Sequence, residues 1–195
     1  LDGVDISEEA VRVYNVGDVV PHLIGTVGAI SAEEYEEIIR GKTAWLIRAS
    51  CQLGALRAGA DDALVEAAAA YGENIGMAFQ IVDDALDFAP QSVTGKPSGG
   101  DVREGKLTPP LRMYRDSLDD AARAAFDQAF NDASFTDSDA ERIADGIRAA
   151  GFDQATRMAA EGYLDKARAA LATLPSGPEQ DILQQMADYV RDRKK

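Results

Sequence analysis

The chain of 195 residues has one cysteine, Cys51, and one histidine, His22. A lone thiol excludes an intrachain disulfide, and one thiol with one imidazole falls short of a structural zinc site. Cys51 sits among apolar residues and reads as a small core filler. Basic residues are scarce as well: 20 Lys and Arg face 34 Asp and Glu, a formal net charge of −14. That balance repels phosphate backbones and excludes general nucleic-acid binding. The acid after residue 116 is spread along surface helices, as expected of a solvated face. No stretch approaches the run of about 18 apolar residues that a membrane span needs, and no signal peptide is visible, so a cytoplasmic, reduced setting is expected. Alternating strand patterns are missing too.

What is present favours helices. Hydrophobic residues make up 46% of the chain, prolines number only 7, and windows such as 121–130 and 167–172 are rich in alanine. One all-α domain over 1–195 is predicted, with helices near 8–16, 32–57, 62–88, 107–115, 119–131, 137–149, 152–173 and 178–192.

Within this frame one segment resists a folding explanation. Residues 79–87 read Phe-Gln-Ile-Val-Asp-Asp-Ala-Leu-Asp and place Asp83, Asp84 and Asp87 in a strongly apolar stretch. Buried carboxylates so close together repel one another and are costly unless a cation or donor compensates them. Their helix is delimited by Asp61, a plausible N-cap, and by Pro90, which blocks continuation. Between those limits Leu64, Ala68, Tyr71, Ile75, Phe79, Val82 and Leu86 form a core-facing stripe. A second stripe, about 100° around the helix, carries Gly72, Gly76, Gln80, Asp83 and Asp87, with Asp84 at its edge. Spacing of i and i+4 lets Asp83 and Asp87 converge from one face. Hard oxygen ligands of this kind suit Mg²⁺, which is held by one or two carboxylates together with substrate phosphates. The two glycines leave room either for a neighbouring helix, the plainer reading, or for an extended apolar ligand.

Two further elements supply positive charge. The aperiodic segment 89–106 contains Gly95, Gly99, Gly100 and Gly105 with Lys96, Arg103 and Lys106, a composition suited to phosphate. It lacks the Gly-Lys-Ser/Thr of a Walker loop, which argues against nucleotide hydrolysis. Upstream, Ser31 and Glu34 signal a capping box, followed by a stripe of Tyr35, Ile38, Ile39, Trp45, Leu46, Leu53 and Leu56. Lys42 lies on or beside that stripe, next to Thr43.

Taken in order, Lys42-Thr43, Phe79-Gln80-x-x-Asp83-Asp84-x-x-Asp87, Gly95-Lys96 and Gly105-Lys106-x-Thr108-x-Pro110 resemble the trans-isoprenyl diphosphate synthases, or polyprenyl synthetases. The Gly-Lys-Pro-x-Gly-x-Asp-x-x-x-Gly-Lys run and the tail Asp188-Tyr189-Val190-x-x-Arg193 look most like the bacterial longer-chain branch. The resemblance implies the helical bundle of isoprenoid synthases and Mg²⁺-assisted ionisation of an allylic diphosphate. Attack by isopentenyl diphosphate on the resulting cation then gives a longer polyprenyl diphosphate. It further implies Asp83 as principal metal ligand, with Asp84 and Asp87 ligating directly or through water. Lys42, Thr43 and Lys96 would contact the allylic diphosphate, Gln80 and Phe79 would flank the isoprenoid, and Lys106 would add to the positive field. A homodimer is expected on the same ground.

Departures from the family pattern qualify this picture. The first aspartate-rich motif and the early basic segments for isopentenyl diphosphate are missing, and residue 1 is Leu, so the sequence looks like the C-terminal portion of a longer protein and is expected to be inactive alone. At Gly17-Asp18-Val19-Val20-Pro21, proline stands where the family commonly has glutamine. The alternatives are a non-catalytic or regulatory subunit of a heteromeric synthase and, ranked below it, a class I terpenoid cyclase. The cyclases usually carry an Asn-Asp-x-x-Ser-x-x-x-Glu motif instead.

Overall fold

Among the described residues, 31–194, every regular element of the computed structural model is helical. In chain order these are α1 (Ala32–Ile39), a π-helical turn (Arg40–Ala44), α2 (Trp45–Arg57), α3 (Asp62–Leu86) and the short α4 (Gln91–Thr94) and α5 (Gly100–Arg103). They are followed by α6 (Pro109–Ser117), α7 (Asp120–Asn131), α8 (Asp137–Ala150), α9 (Phe152–Leu171) and α10 (Pro178–Asp192). The expected all-α fold is observed. The helix expected at 8–16, the Gly17-to-Pro21 segment and His22 lie outside the described residues.

Local sequence sets the ends of these helices. Ser31 accepts from the Glu34 amide while the Glu34 carboxylate accepts from the Ser31 amide, completing the predicted capping box. Asp61 caps α3 through the Leu64 amide at 2.9 Å, and Asp119 and Thr136 cap α7 and α8 in the same way. Segment 89–106 is more ordered than its lack of periodicity predicts. It holds α4 and α5 and is tied down where the Gly99 amide reaches Asp87 O at 2.9 Å and Arg148 reaches Ser98 Oγ at 3.0 Å.

Helix α3 is the hub. Tyr71, Ile75, Val82 and Leu86 pack on Ala160, Leu164, Ala167 and Leu171 of α9 and on Ala187 and Val190 of α10. The Tyr71 hydroxyl also donates to Leu183 O at 2.7 Å. A second core joins Phe88 and Leu107 to apolar residues of α5, α6, α7 and α8, with Ile143 and Ile147 fully enclosed. Leu86 belongs to the first core and Phe88 to the second, so the aspartate segment lies where the two meet.

The upstream stripe is corrected by the structure. Tyr35, Ile39 and Ala44 face the first core, but Trp45, Leu46, Leu53 and Leu56 are each more than half exposed. The cause is the π turn: a residue inserted into the α register rotates everything after it by about 100°. Residues counted as one stripe on an unbroken helix therefore fall on two faces. What seats α2 on α3 is a polar seam, with Glu73 accepting from Arg40 at 3.2 Å and from Arg48 at 2.9 Å.

Glycine permits that seat. A Cβ on Gly76 would lie 2.5 Å from Ala44 Cα, and one on Gly72 would lie 2.7 Å from Ile47 O. The space beside these glycines is filled by backbone, so close helix packing is their role and an extended ligand does not occupy it. Gly76→Ala is expected to cost about 1–3 kcal/mol in chemical denaturation. Gly54→Ala on α2, where nothing lies within 4 Å, is expected to stabilise by up to about 1 kcal/mol.

Candidate active site

Three aspartates near the C-terminal end of α3 fan out toward different partners. Asp83 is about half exposed and pairs with Arg193 Nη2 at 2.9 Å, just beyond α10. The Arg193 guanidinium also lies 4.2 Å over the ring of Phe79, and its carbonyl accepts from Arg157 at 3.0 Å. Asp84 is buried, accepting from Tyr35 Oη at 2.6 Å and from Gln80 Nε2 at 2.8 Å. Asp87 turns under α5, where its Oδ2 accepts from the Asp101 amide at 2.9 Å and its Oδ1 fills the place a Cβ on Gly100 would need.

Asp101, in the sequence only the acid of the Gly-Lys-Pro-x-Gly-x-Asp run and not assigned a site role there, is the fourth carboxylate here. Its Oδ2 is buried without a hydrogen-bond partner among the described residues. The signal is its place in that run, within a glycine-rich segment that carries Lys96, Arg103 and Lys106. In the sequence Tyr35 is one position of an apolar stripe and Arg193 one position of the tail motif. In both cases the partner is remote in sequence, so no spacing rule reveals it.

Burial dominates the electrostatics. It raises the Asp84 carboxyl to about 6 despite the bonds from Tyr35 and Gln80. It raises Asp101 to about 8, helped by the neighbouring charges of Asp87 and Asp84. Asp87 is raised by burial too, against the pull of the Asp101 amide.

The other expected residues are placed as follows. Thr43, in the π turn, donates to Gln80 Oε1 at 2.8 Å, and Lys42 beside it is exposed and near enough to favour the charged form of Asp84. Gln80 is buried and Phe79 partly exposed. Lys96 lies exposed just past α4. No salt bridge engages Lys42 or Lys96 among the described residues, whereas Lys106 pairs with Glu104 and Arg103 with Asp137. Arg103 and Lys106 are thus committed to carboxylates of their own chain.

Whether such a site fits Mg²⁺ turns on its donors. Among the described residues no three metal-ligating side chains converge on one point. Mg²⁺ does not require that, since one or two carboxylates with substrate phosphates suffice. Half-exposed Asp83 and partly exposed Asp87 are the hard donors such an ion takes, and the unpartnered Asp101 oxygen leaves negative charge behind them for it to offset.

The match to known proteins decides the family. Residues 4–147 fit the model of the family described as polyprenyl synthetase. This chain belongs to the polyprenyl synthetases. It is 37% identical over 161 residues to heptaprenyl diphosphate synthase component 2 of Bacillus subtilis, covering 82% of this chain and 45% of that one. Octaprenyl diphosphate synthase of Escherichia coli is 34% identical over 200 residues, 99% of this chain and 60% of the relative. Among solved structures, a decaprenyl diphosphate synthase from Rhodobacter capsulatus superposes with a TM-score of 0.77 at 40% identity, over 86% of this chain and 52% of that one. A polyprenyl synthase from Caulobacter crescentus, complexed with calcium and isoprenyl diphosphate, gives 0.81 at 37% identity over 90% and 54%. The chain spans about half the length of the curated relatives it matches. No helix among the described residues of this polyprenyl synthetase is long and apolar enough to cross a membrane.

The raised carboxyls give the metal-free protein a definite pH dependence. Folded Asp84 and Asp101 hold their protons more tightly than in the unfolded chain. Their cost is therefore absent below the ordinary value of 3.8 and complete above the higher folded value of about 8. Without divalent ions, these two groups are expected to make the melting temperature rise as pH falls from about 8 toward about 5. Asp101→Asn is expected to stabilise the metal-free protein at the alkaline end and to flatten that slope, as read by calorimetry.

Proposed function

We propose that the complete protein is a Mg²⁺-dependent trans-prenyltransferase. It would condense isopentenyl diphosphate with an allylic diphosphate to give a polyprenyl diphosphate one isoprene unit longer. The observation that carries this reading is the gathering of Asp83, Asp84, Asp87 and Asp101 at the junction of the two cores, with Lys42 and Thr43 beside them. Support also comes from relatives named as heptaprenyl and octaprenyl diphosphate synthases and from a structural neighbour solved with calcium and isoprenyl diphosphate.

Each residue has a defined part in this reading. Asp83 and Asp87 would hold the metal, Asp83 exchanging its bond to Arg193 for the ion, while Asp84 and Asp101 add negative charge behind them. When bound, Mg²⁺ neutralises charge on a departing diphosphate. Lys42 and Lys96 would meet the diphosphate oxygens, having no competing salt bridge among the described residues, and Lys106 would contribute from farther out. Gln80 is immobilised by its bonds to Thr43 and Asp84, and Phe79 offers an apolar surface to the isoprenoid. The half-exposed apolar residues of α2 mark a face that further helices would cover, in keeping with relatives about twice as long. Without that portion the 195 residues are expected to be inactive, and the complete protein is expected to be a cytoplasmic homodimer.

A specific observation favours a second reading. The Bacillus subtilis relative is named as a component, which supports a role for this chain within a heteromeric synthase. An upstream Asp-Asp-x-x-Asp motif in the complete protein would favour a catalytic over a regulatory role.

The decisive experiment is Mg²⁺-dependent incorporation of labelled isopentenyl diphosphate by the complete protein, assayed with several allylic primers. Asp83→Ala is expected to lower kcat about 100-fold, and Lys42→Ala to raise KM for the allylic substrate. No incorporation with any primer, with or without a candidate partner subunit, would refute the proposal.

A further inference from the structure

Tyr35 enters the reading above only through its bond to Asp84, and that bond opens a longer chain. Tyr35 Oη donates to Asp84 Oδ2 at 2.6 Å, Gln80 Nε2 donates to Asp84 Oδ1 at 2.8 Å, and Thr43 Oγ1 donates to Gln80 Oε1 at 2.8 Å. The direction of every link follows from one end. An ionised carboxylate only accepts, so Gln80 must turn its NH₂ group toward Asp84 and its carbonyl toward Thr43. The single hydroxyl proton of Thr43 is thereby committed to Gln80, leaving its lone pairs for whatever binds outside. Three elements, α1, α3 and the π turn, are joined by side chains whose donor and acceptor roles are all determined.

The position of Tyr35 is itself fixed from two sides. Its amide donates to Ser31 O at 3.1 Å, so the capping box at the start of α1 sets its register. Its ring packs on the first core, which sets where the hydroxyl ends. Burial and the Asp84 charge push its pKa far upward, so the hydroxyl keeps its proton and stays a donor. Removing the hydroxyl would leave Asp84 Oδ2 short of a partner in a buried place, where the carboxylate is free to rotate and carry Gln80 and Thr43 with it.

We propose that Tyr35 is a positioning residue of the metal–diphosphate site, holding Asp84, and through it Gln80 and Thr43, in the orientation that the bound ion and diphosphate meet. The inference rests on the prenyltransferase reading. Outer-sphere partners of this kind typically change metal affinity or activity by about 10- to 100-fold when removed.

The test uses Tyr35→Phe in the complete protein, which keeps the ring and deletes only the donor. Mn²⁺ binding in the presence of inorganic diphosphate, followed by electron paramagnetic resonance, is expected to weaken about tenfold. The melting temperature should stay within about 5 °C of the wild type. In turnover, kcat should fall by a similar factor while KM for isopentenyl diphosphate holds. Combined with Thr43→Val, the penalties should not add, because both variants cut one network. Equal Mn²⁺ binding by wild type and Tyr35→Phe, additive penalties, or failure of Tyr35→Phe to fold would each overturn the inference alone. A wild-type protein that binds no Mn²⁺ with diphosphate would overturn both the inference and the reading beneath it.

Discussion

The burial of negative charge at the end of α3 is the constraint from which the rest of the arrangement follows. Four carboxylates, Asp83, Asp84, Asp87 and Asp101, occupy the junction of two apolar cores, where an unpaired charge is expensive. Three of them have a provision of their own: Arg193 for Asp83, Tyr35 and Gln80 for Asp84, and a backbone amide for Asp87. Asp101 retains a buried oxygen with no such provision among the described residues and shows the larger upward shift. On the proposed reading a divalent ion would meet this unspent demand, and the charge that weakens the metal-free fold would then favour binding of the ion.

The provisions come from distant parts of the chain, and packing delivers them. The π turn carries Thr43 to Gln80, and the absence of a Cβ on Gly76 lets Ala44 approach closely enough for that bond to form. π turns recur at functional sites because they trade regular helical bonding for a re-aimed side chain. Arg193 arrives from beyond α10, laid across Phe79 and held by Arg157. Folding and site assembly are thus one event: loss of the α2–α3 seat would displace the site as well as the helix.

Much of this was legible beforehand. The caps at Ser31, Asp61 and Thr136 and the bounds of α10 follow from local chemistry, in which each signal lies within a few residues of the group it satisfies. The aspartate run was conspicuous because its composition contradicts its burial. Periodicity assumes an unbroken α register and so places Trp45, Leu46, Leu53 and Leu56 on one stripe with Tyr35 and Ile39, which the π turn separates. The role of Asp101 is not legible in the sequence, because an acid that shares its segment with Arg103, Glu104 and Lys106 looks solvated until its surroundings are known.

The amino-acid sequence alone therefore determined the helical class, most helix boundaries, the family resemblance and the segment where acidic residues gather in an apolar stretch, all of which depend on nearest neighbours and spacing. Tertiary structure decided what each carboxylate does. Asp84 turns inward to Tyr35, Asp83 outward to Arg193, and Asp87 beneath α5, although all three lie within five residues. The physical reason is that hydrogen bonds and charge compensation act over a few ångströms of space, and Arg193 and Tyr35, which supply them to Asp83 and Asp84, are 110 and 49 residues away along the chain.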